Sequence, residues 1–442
     1  MLIDVQEFVA RRACFIDQME LNSIAIFCAG EEVTRSNDTE FPFCQNKNFF
    51  YLTGFNEPEA LLVLVKNALG QGQSTLFCRD KDPLQEVWHG RRVGAELAKE
   101  TYAFDQTFTL EHVDEEVIEM LKHKSSLYTI HNENDGFDAQ IFDWLSQVKS
   151  GVKAGDKAPS QLIDCSSMLA EMRLIKSSAE LDVMRKANDI SANAHVRAMR
   201  SCKVGMFEYQ IEAEIHHEFA FNGARHPAYG SIVAGGDNAN ILHYTDNSEA
   251  LNDNELLLID AGGELEGYAA DITRTFPVNG KFTPAQKEIY QLVLDAQIAS
   301  IDAIKPGVSF AELNDIVHQV LTKGLLELGI LTGDFDTLME EKACKKYFIH
   351  GLGHWLGLDV HDVGDYDIDE DRRQNRAFEP GMIMTIEPGL YIPLDAEVDE
   401  KYRGIGIRIE DNVVVTETGF ENFSLGVPKT IEAIEALMAE GK

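Results

Sequence analysis

Four acidic side chains stand where acidic side chains are costly. Asp260 follows an apolar run in ELLLIDAGG, Asp271 sits mid-strand in GYAADITRTF, Glu387 does the same in MIMTIEPG, and Glu410 lies inside IGIRIEDNVVV. Asp and Glu are almost never fully buried without a partner, and desolvating a carboxylate costs several kcal/mol even after relaxation. A salt bridge to Arg274 or Arg408 would relieve one of them. Four such residues, two per strand pair, ask for more positive charge than that. Four carboxylates and one neutral imidazole carry about −4, which two divalent cations cancel. Oxygen-rich ligation favours Mn²⁺, Co²⁺, Fe²⁺ or catalytic Zn²⁺ over a structural thiolate zinc. Two ions bridged by carboxylates, roughly 3.5 Å apart, hold a hydroxide and polarise a carbonyl together. Hydrolysis of an acyl bond is the chemistry this predicts.

The imidazole is sought in FIHGLGHWLGLDVHDVG, Phe348 to Gly364, which carries His350, His354 and His361. The i, i+4 spacing of His350 and His354 is that of a zinc-binding helix, but the interspersed glycines argue against a helix. They suit a chain passing close beneath a substrate.

The elements that must position these residues have a regular order in the second half. A helix is predicted over Ala179 to Arg200, with Leu181, Met184, Ala187, Ala194 and Ala198 as its apolar stripe. Another covers Glu208–Phe221, with Ile211, Ile215 and Phe219 on one face. Thr283-Pro284-Ala285-Gln286 and Ser309 with Glu312 are capping boxes that start two more. Strand pairs lie between: ELLLIDAG with YAADITRTFPV, then GMIMTIEPGLYI with GIGIRIEDNVVVT. The order of helices followed by two acid-bearing strands occurs twice, without a sequence repeat that would prove duplication.

The first half reads as mixed α/β. SIAIFCAG, FFYLTGFNEPEALLVLVK, STLFCRD and SLYTIHN read as strands and turns, and HVDEEVIEMLKH as a helix. VKSGVKAGDKAPS, near 148–160, is an exposed loop close to a boundary placed at 172. The expected domains are therefore 1–172 and 173–442, in keeping with 442 residues being too many for one core.

Composition narrows the function. Hydrophobic content of 44% is that of a globular chain, and a net charge of −35 would repel a phosphate backbone, which excludes nucleic acid as a partner. No apolar run is long enough to span a bilayer, and the amino-terminal stretch lacks the layout of a signal peptide, so no membrane is involved and a cytoplasmic location is expected. The seven scattered cysteines fit reduced thiols, with Cys344 a packed core residue. His89 is expected on the surface, and His216 and His217 on a solvated helix face.

The contexts LLIDAGGELEGYAADITRTFP, HGLGHWLGLDVHDVG, TIEPGLYI and GIGIRIEDN together resemble the dimetal site of the pita-bread peptidases, which include methionine aminopeptidase, prolidase and aminopeptidase P, with creatinase as a metal-free relative. Within that group the likeness is greatest to bacterial Xaa-Pro aminopeptidases and runs along essentially the whole chain. It includes EVTRSNDTEFPFCQNKNFFYLTGFNEPEA and VWHGRRVG in the first half, and EMRLIKSSAEL, GMFEYQIEAEIHHEF, ILHYTDN and DITRTFPVNGKFT in the second. The stretch YDIDEDRRQNRAFEPG is slightly longer than the family's usual loop.

The resemblance implies an α/β (α+β) fold, with a pita-bread catalytic domain after a smaller mixed domain. It implies two divalent ions per subunit, Mn²⁺ foremost, with Co²⁺, Fe²⁺ or Zn²⁺ as alternatives. Asp260 would hold one ion, Asp271 and Glu410 bridge both, and His354 and Glu387 complete the other, Glu387 also moving a proton. His361 would hydrogen-bond the scissile carbonyl, His243 and His350 line the proline side, and Arg408 orient a ligand carboxylate. Tyr229 would stand near the substrate. Asp38 and Trp88 would shape the cleft, partly from a neighbouring subunit of a homotetramer; for Trp88, core or interface packing is the competing reading. The implied activity is release of the N-terminal residue from peptides whose second residue is proline, by a metal-bridging hydroxide. Prolidase, acting on Xaa-Pro dipeptides, is the alternative. Methionine aminopeptidase is disfavoured by the long first domain, and a metal-independent creatinase-like hydrolase or a non-catalytic binding protein by the complete ligand set.

Overall fold

The computed structural model describes residues 2–368 and 375–440. Two compact units divide it, Met1–Arg173 and Leu174–Lys442.

The first unit is built on a six-stranded sheet in the order Gln106–Thr109, Gly72–Cys78, Leu61–Lys66, Ser23–Cys28, Ser126–Thr129, Gln161–Asp164. Leu61–Lys66 runs antiparallel to both its neighbours, and the remaining pairs are parallel. SIAIFC and LLVLVK are nearly continuous apolar runs because the sheet is covered on both faces. Ile24, Ile26, Val63 and Phe77 pack with Val117, Leu121, Trp144 and Leu145 of the helices Val113–Leu121 and Asp135–Ser150. One strand reading fails here. FFYLT belongs to the helix Lys47–Thr53, capped by the Asn46 side chain on the Phe49 N–H and closed by Gly54 at φ 64°. Local capping outweighs the β propensity of its aromatic residues.

Among its described residues the second unit holds four long helices. Ser178–Ser201 and Glu208–Phe221 pair, as do Pro284–Asp302 and Phe310–Glu327. The boxes Thr283/Gln286 and Ser309/Glu312 are formed as expected, and Ser177/Glu180 adds a third. The first helix buries polar residues that its apolar stripe does not predict: Asn188, Ser191 and His195. Leu256–Asp260 lies between Ile232–Gly235 and Thr273–Pro277, all antiparallel. In the second half of the unit, Asp411–Val415 lies between Ile383–Ile386 and Phe420–Asn422, and Gly389–Ile392 pairs with Ile405–Arg408. Val233, Leu257, Ile259, Phe276, Ile386, Ile407 and Val413 share one core with the helices.

Three of the four acidic residues are not inside strands. Asp260 ends one, whereas Asp271, Glu387 and Glu410 fall in breaks just before or after one. Each break has a cause. At Asp271 the Asn412 side-chain amide takes the place of a neighbouring strand, accepting from the Asp271 N–H at 2.9 Å and donating to its carbonyl at 2.5 Å. After Glu387 comes Pro388, which has no N–H to give a ladder. At Glu410 the carbonyl accepts from the Arg274 guanidinium at 2.6 Å and the N–H donates to the Thr273 carbonyl at 3.1 Å. The breaks free these carboxylates from the strict up-down alternation of a strand.

Residues 348–364 form no helix. A Cβ on Gly353 would meet the Thr385 carbonyl at 1.9 Å. The close approach that this glycine permits is therefore to the strand Ile383–Ile386, not to a substrate. In the longer loop after Tyr366, residues 369–374 lie outside the described residues.

Candidate active site

A cavity of about 460 Å³ in the second unit is lined by Tyr229, His243, Asp260, Asp271, His350, His354, His361, Glu387, Arg408 and Glu410, with Ile232, Leu242 and Val360 as apolar wall. Asp38 and Trp88 belong to the first unit. Asp38 is exposed in the turn between Thr34–Ser36 and Thr39–Glu40. Trp88, in the helix Pro83–His89, is 82% exposed, so core packing within its own unit does not account for it.

The loop 350–361 delivers the histidines. The His354 N–H donates to Thr385 Oγ1 (3.0 Å) and its Nδ1 bonds the Trp355 carbonyl (2.9 Å). With Nδ1 turned to that carbonyl, Nε2 is the ring nitrogen that faces the acids. That atom lies 3.4 Å from Asp271 Oδ2 and 3.6 Å from Glu387 Oε1. One donor atom each from Asp271, His354 and Glu410 lies within 4.8 Å of the others, close enough to share a metal ion. The His361 ring stands 4.2 Å from that of His354, centroid to centroid.

The carboxylates are held from outside. Arg408 donates to Asp260 Oδ2 (2.6 Å), to the Tyr391 hydroxyl (2.9 Å) and to Thr273 Oγ1 (3.1 Å). Thr273 Oγ1 in turn donates to Glu410 Oε2 (2.6 Å), and Thr385 Oγ1 to Glu387 Oε1 (3.2 Å). The Tyr229 hydroxyl sits between two acids, 2.6 Å from Asp260 Oδ1 and 2.5 Å from Asp271 Oδ1. Its position is that of a clamp on these acids, beyond a wall for the substrate.

His350 has both ring nitrogens engaged. Arg408 occupies the acceptor side of the Tyr391 hydroxyl, so that hydroxyl donates to His350 Nε2 (2.8 Å), and Nδ1–H is left to donate to the Gly351 carbonyl (2.7 Å). Burial and the nearby Arg408 push His350 down to about 4, so it is neutral at pH 7.

Electrostatics expose the site's need. Burial raises Glu387 to about 7, and burial with the neighbouring Asp271 and Glu387 carboxylates raises Glu410 well above its ordinary value. Asp271 is raised for the same reasons, by burial and by Asp260. Burial would lower His354, but the facing Asp271 carboxylate outweighs it and lifts the imidazole to about 9. Among the described residues that line the cavity, Arg408 is the one permanent cation, against four carboxylates. Oxygen donors, a single imidazole and no thiolate fit a hard or borderline divalent cation.

Sequence reasoning missed Tyr391, Thr273, Asn412 and His195. His195, fully buried on the helix Ser178–Ser201, bonds the Ala261 carbonyl at 3.0 Å, next to Asp260. Of the histidines read as solvated, His89 and His217 are exposed, but His216 is half-buried and bonds Ser231 Oγ at 3.0 Å.

A model of metallopeptidase family M24 matches residues 182–417, the stretch that contains every acid and histidine lining the cavity. The chain belongs to metallopeptidase family M24. A second model, the aminopeptidase P N-terminal domain, matches residues 8–129. The M24 pita-bread fold, preceded by a mixed α/β domain, is thus the architecture of this chain. Among M24 relatives, the Xaa-Pro aminopeptidase of Escherichia coli (strain K12) is 48% identical, covering 100% of this chain and 99% of its own. That of Haemophilus influenzae is 46% identical over 98% of this chain and 97% of its own. A zinc-substituted E. coli aminopeptidase P in complex with product superposes with a TM-score of 0.97 at 48% identity, covering 100% of this chain and 99% of that one. Proline aminopeptidase P II from Yersinia pestis gives 0.96 at 49%, covering 99% and 100%.

Proposed function

We propose that this M24 enzyme is an Xaa-Pro aminopeptidase that uses two divalent ions, Mn²⁺ foremost. One observation carries the reading. Asp260, Asp271, His354, Glu387 and Glu410 converge on one cavity in a chain 48% identical, end to end, to an Xaa-Pro aminopeptidase. Asp260, Asp271 and Glu410 would hold one ion, and Asp271, Glu410, His354 and Glu387 the other. When bound, the ions polarise a carbonyl and lower the pKa of water.

The chain's own residues do the rest. A peptide bond preceding proline is a tertiary amide with no N–H, so recognition must rest on the proline ring and the free amine. Ile232, Leu242 and Val360 offer apolar surface, and His350, with both nitrogens engaged, presents its ring face. His243 lines the same cavity. Burial and the adjacent His354 hold His361 below its ordinary pKa, so at neutral pH it is uncharged and can donate an N–H to the oxyanion, a role worth about 10² to 10³ in rate. Glu387 receives the proton of the attacking water and passes it to the departing amine. Arg408 orients Asp260 through its bond to Oδ2 (2.6 Å).

A cytoplasmic homotetramer belongs to this reading. Among the described residues no helix is long and apolar enough to cross a membrane, and exposed Leu84, Val87 and Trp88 supply apolar surface for a neighbouring copy. The test of specificity compares an Xaa-Pro-Xaa tripeptide with an Xaa-Pro dipeptide on Mn²⁺-loaded enzyme. Faster release from the tripeptide is expected. Cleavage of the dipeptide alone would make the protein a prolidase.

A further inference from the structure

A buried ion pair lies under the loop that carries His354 and His361. Lys176 Nζ is 2.8 Å from Asp362 Oδ2, and each side chain is 1% exposed. Replacing such a pair by apolar residues is often neutral or stabilising, so stability alone is a weak reason for it. Its location offers a better one. Asp362 directly follows His361, and its N–H donates to the Trp355 carbonyl (3.0 Å), the same oxygen that His354 Nδ1 bonds. The turn between them is filled by the pair. A Cβ on Gly357 would lie 2.0 Å from Asp362 Oδ2 and 3.0 Å from Lys176 Cε. Lys176 is itself anchored, its N–H donating to the Gly381 carbonyl (3.0 Å), at the start of the strand that leads to Glu387. The pair therefore ties the backbone at His361 to the backbone that runs into Glu387.

We propose that Lys176–Asp362 is a positioning pair that sets His361 against the reacting carbonyl, which rests on the oxyanion role given to His361 above. Neither side chain touches substrate in this account. They act through the placement of the His361 ring, where a shift of about 1 Å can cost up to a hundredfold.

The experiment is a mutant cycle on Mn²⁺-loaded enzyme with an Xaa-Pro-Xaa tripeptide. Lys176→Met/Asp362→Ala removes the pair without leaving one charge buried alone. It is expected to lower kcat by about tenfold or more, with KM, metal content and melting temperature little changed. Lys176→Gln/Asp362→Asn keeps a neutral hydrogen bond and is expected to recover most of the loss. In a His361→Ala background, removal of the pair should cost less than about twofold further. If the Met/Ala enzyme does not fold, the same cycle is run with Lys176→Met/Asp362→Asn, which keeps the side-chain volumes and likewise leaves no charge buried alone. A full additive loss on top of a slow His361→Ala enzyme would overturn the proposal alone. Unchanged kcat on removing the pair would also overturn it. A His361→Ala enzyme as fast as the parent would refute the oxyanion role and, with it, the proposal.

Discussion

Replacing Arg408 by Met should destabilise the metal-free protein more than the metal-loaded one. The Arg408–Asp260 pair has an N···O distance of 2.6 Å, with side chains 5% and 14% exposed. The same guanidinium bonds Tyr391 and Thr273, and through Thr273 it is linked to Glu410. Breaking a buried pair by removing one partner costs about 3–5 kcal/mol. Unfolding entropy over the roughly 270 residues from Leu174 to Lys442 is about 0.6 kcal/mol per kelvin, so the melting temperature should fall by about 5–9 °C. That figure applies to stripped protein, where Arg408 is the permanent cation facing four carboxylates. With divalent ions bound, the carboxylates have other counter-charges and the drop should shrink to less than half. Scanning calorimetry of stripped and Mn²⁺-loaded protein at pH 8, wild type against Arg408→Met, measures both drops. Equal drops in the two forms would refute the idea that Arg408 offsets the acidic excess.

Gly353→Ala should weaken metal binding by at least about tenfold, because its Cβ would sit 1.9 Å from the Thr385 carbonyl and must displace the loop that holds His354. Titration calorimetry with Mn²⁺ reads this directly. His195 gives a pH prediction. Burial lowers it to about 4, while the unfolded chain titrates near 6.5, so between these values the unfolded state binds the extra proton. Its contribution is fully present above pH 6.5 and is lost as pH falls towards 4, amounting to about 3 kcal/mol. Urea unfolding of stripped protein across that range should show a shallower pH slope for His195→Gln than for wild type.

The acids were legible because their chemistry contradicts their surroundings. Asp260, Asp271, Glu387 and Glu410 each interrupt apolar sequence, and burial of a carboxylate demands an explanation that spacing alone does not. The helix starts at Thr283 and Ser309 were legible for a local reason, since a capping box involves residues three apart. What the sequence hid is long-range. The Asn412 amide that turns Asp271 out of its strand lies 141 positions away, and nothing in IEDNVVV distinguishes it from a surface asparagine. Tyr391 and Thr273 look like ordinary strand residues until Arg408 is seen between them. His195 sits in a helix whose polar residues invite a solvated reading, yet its ring is wholly buried. In FFYLT the opposite holds: both caps, Asn46 and Gly54, stand in the sequence, and they prevail over the β propensity of the aromatic residues.

The function proposed above stands on Asp260, Asp271, His354, Glu387 and Glu410 acting together as the metal ligands of a peptidase site. Release of the N-terminal residue from an Xaa-Pro-Xaa tripeptide, followed as Mn²⁺ is titrated into stripped protein, tests it most directly. The account predicts no turnover without metal and activity that rises to a plateau at about two ions per chain. Full activity of the stripped protein, or no cleavage with any divalent metal, would contradict it.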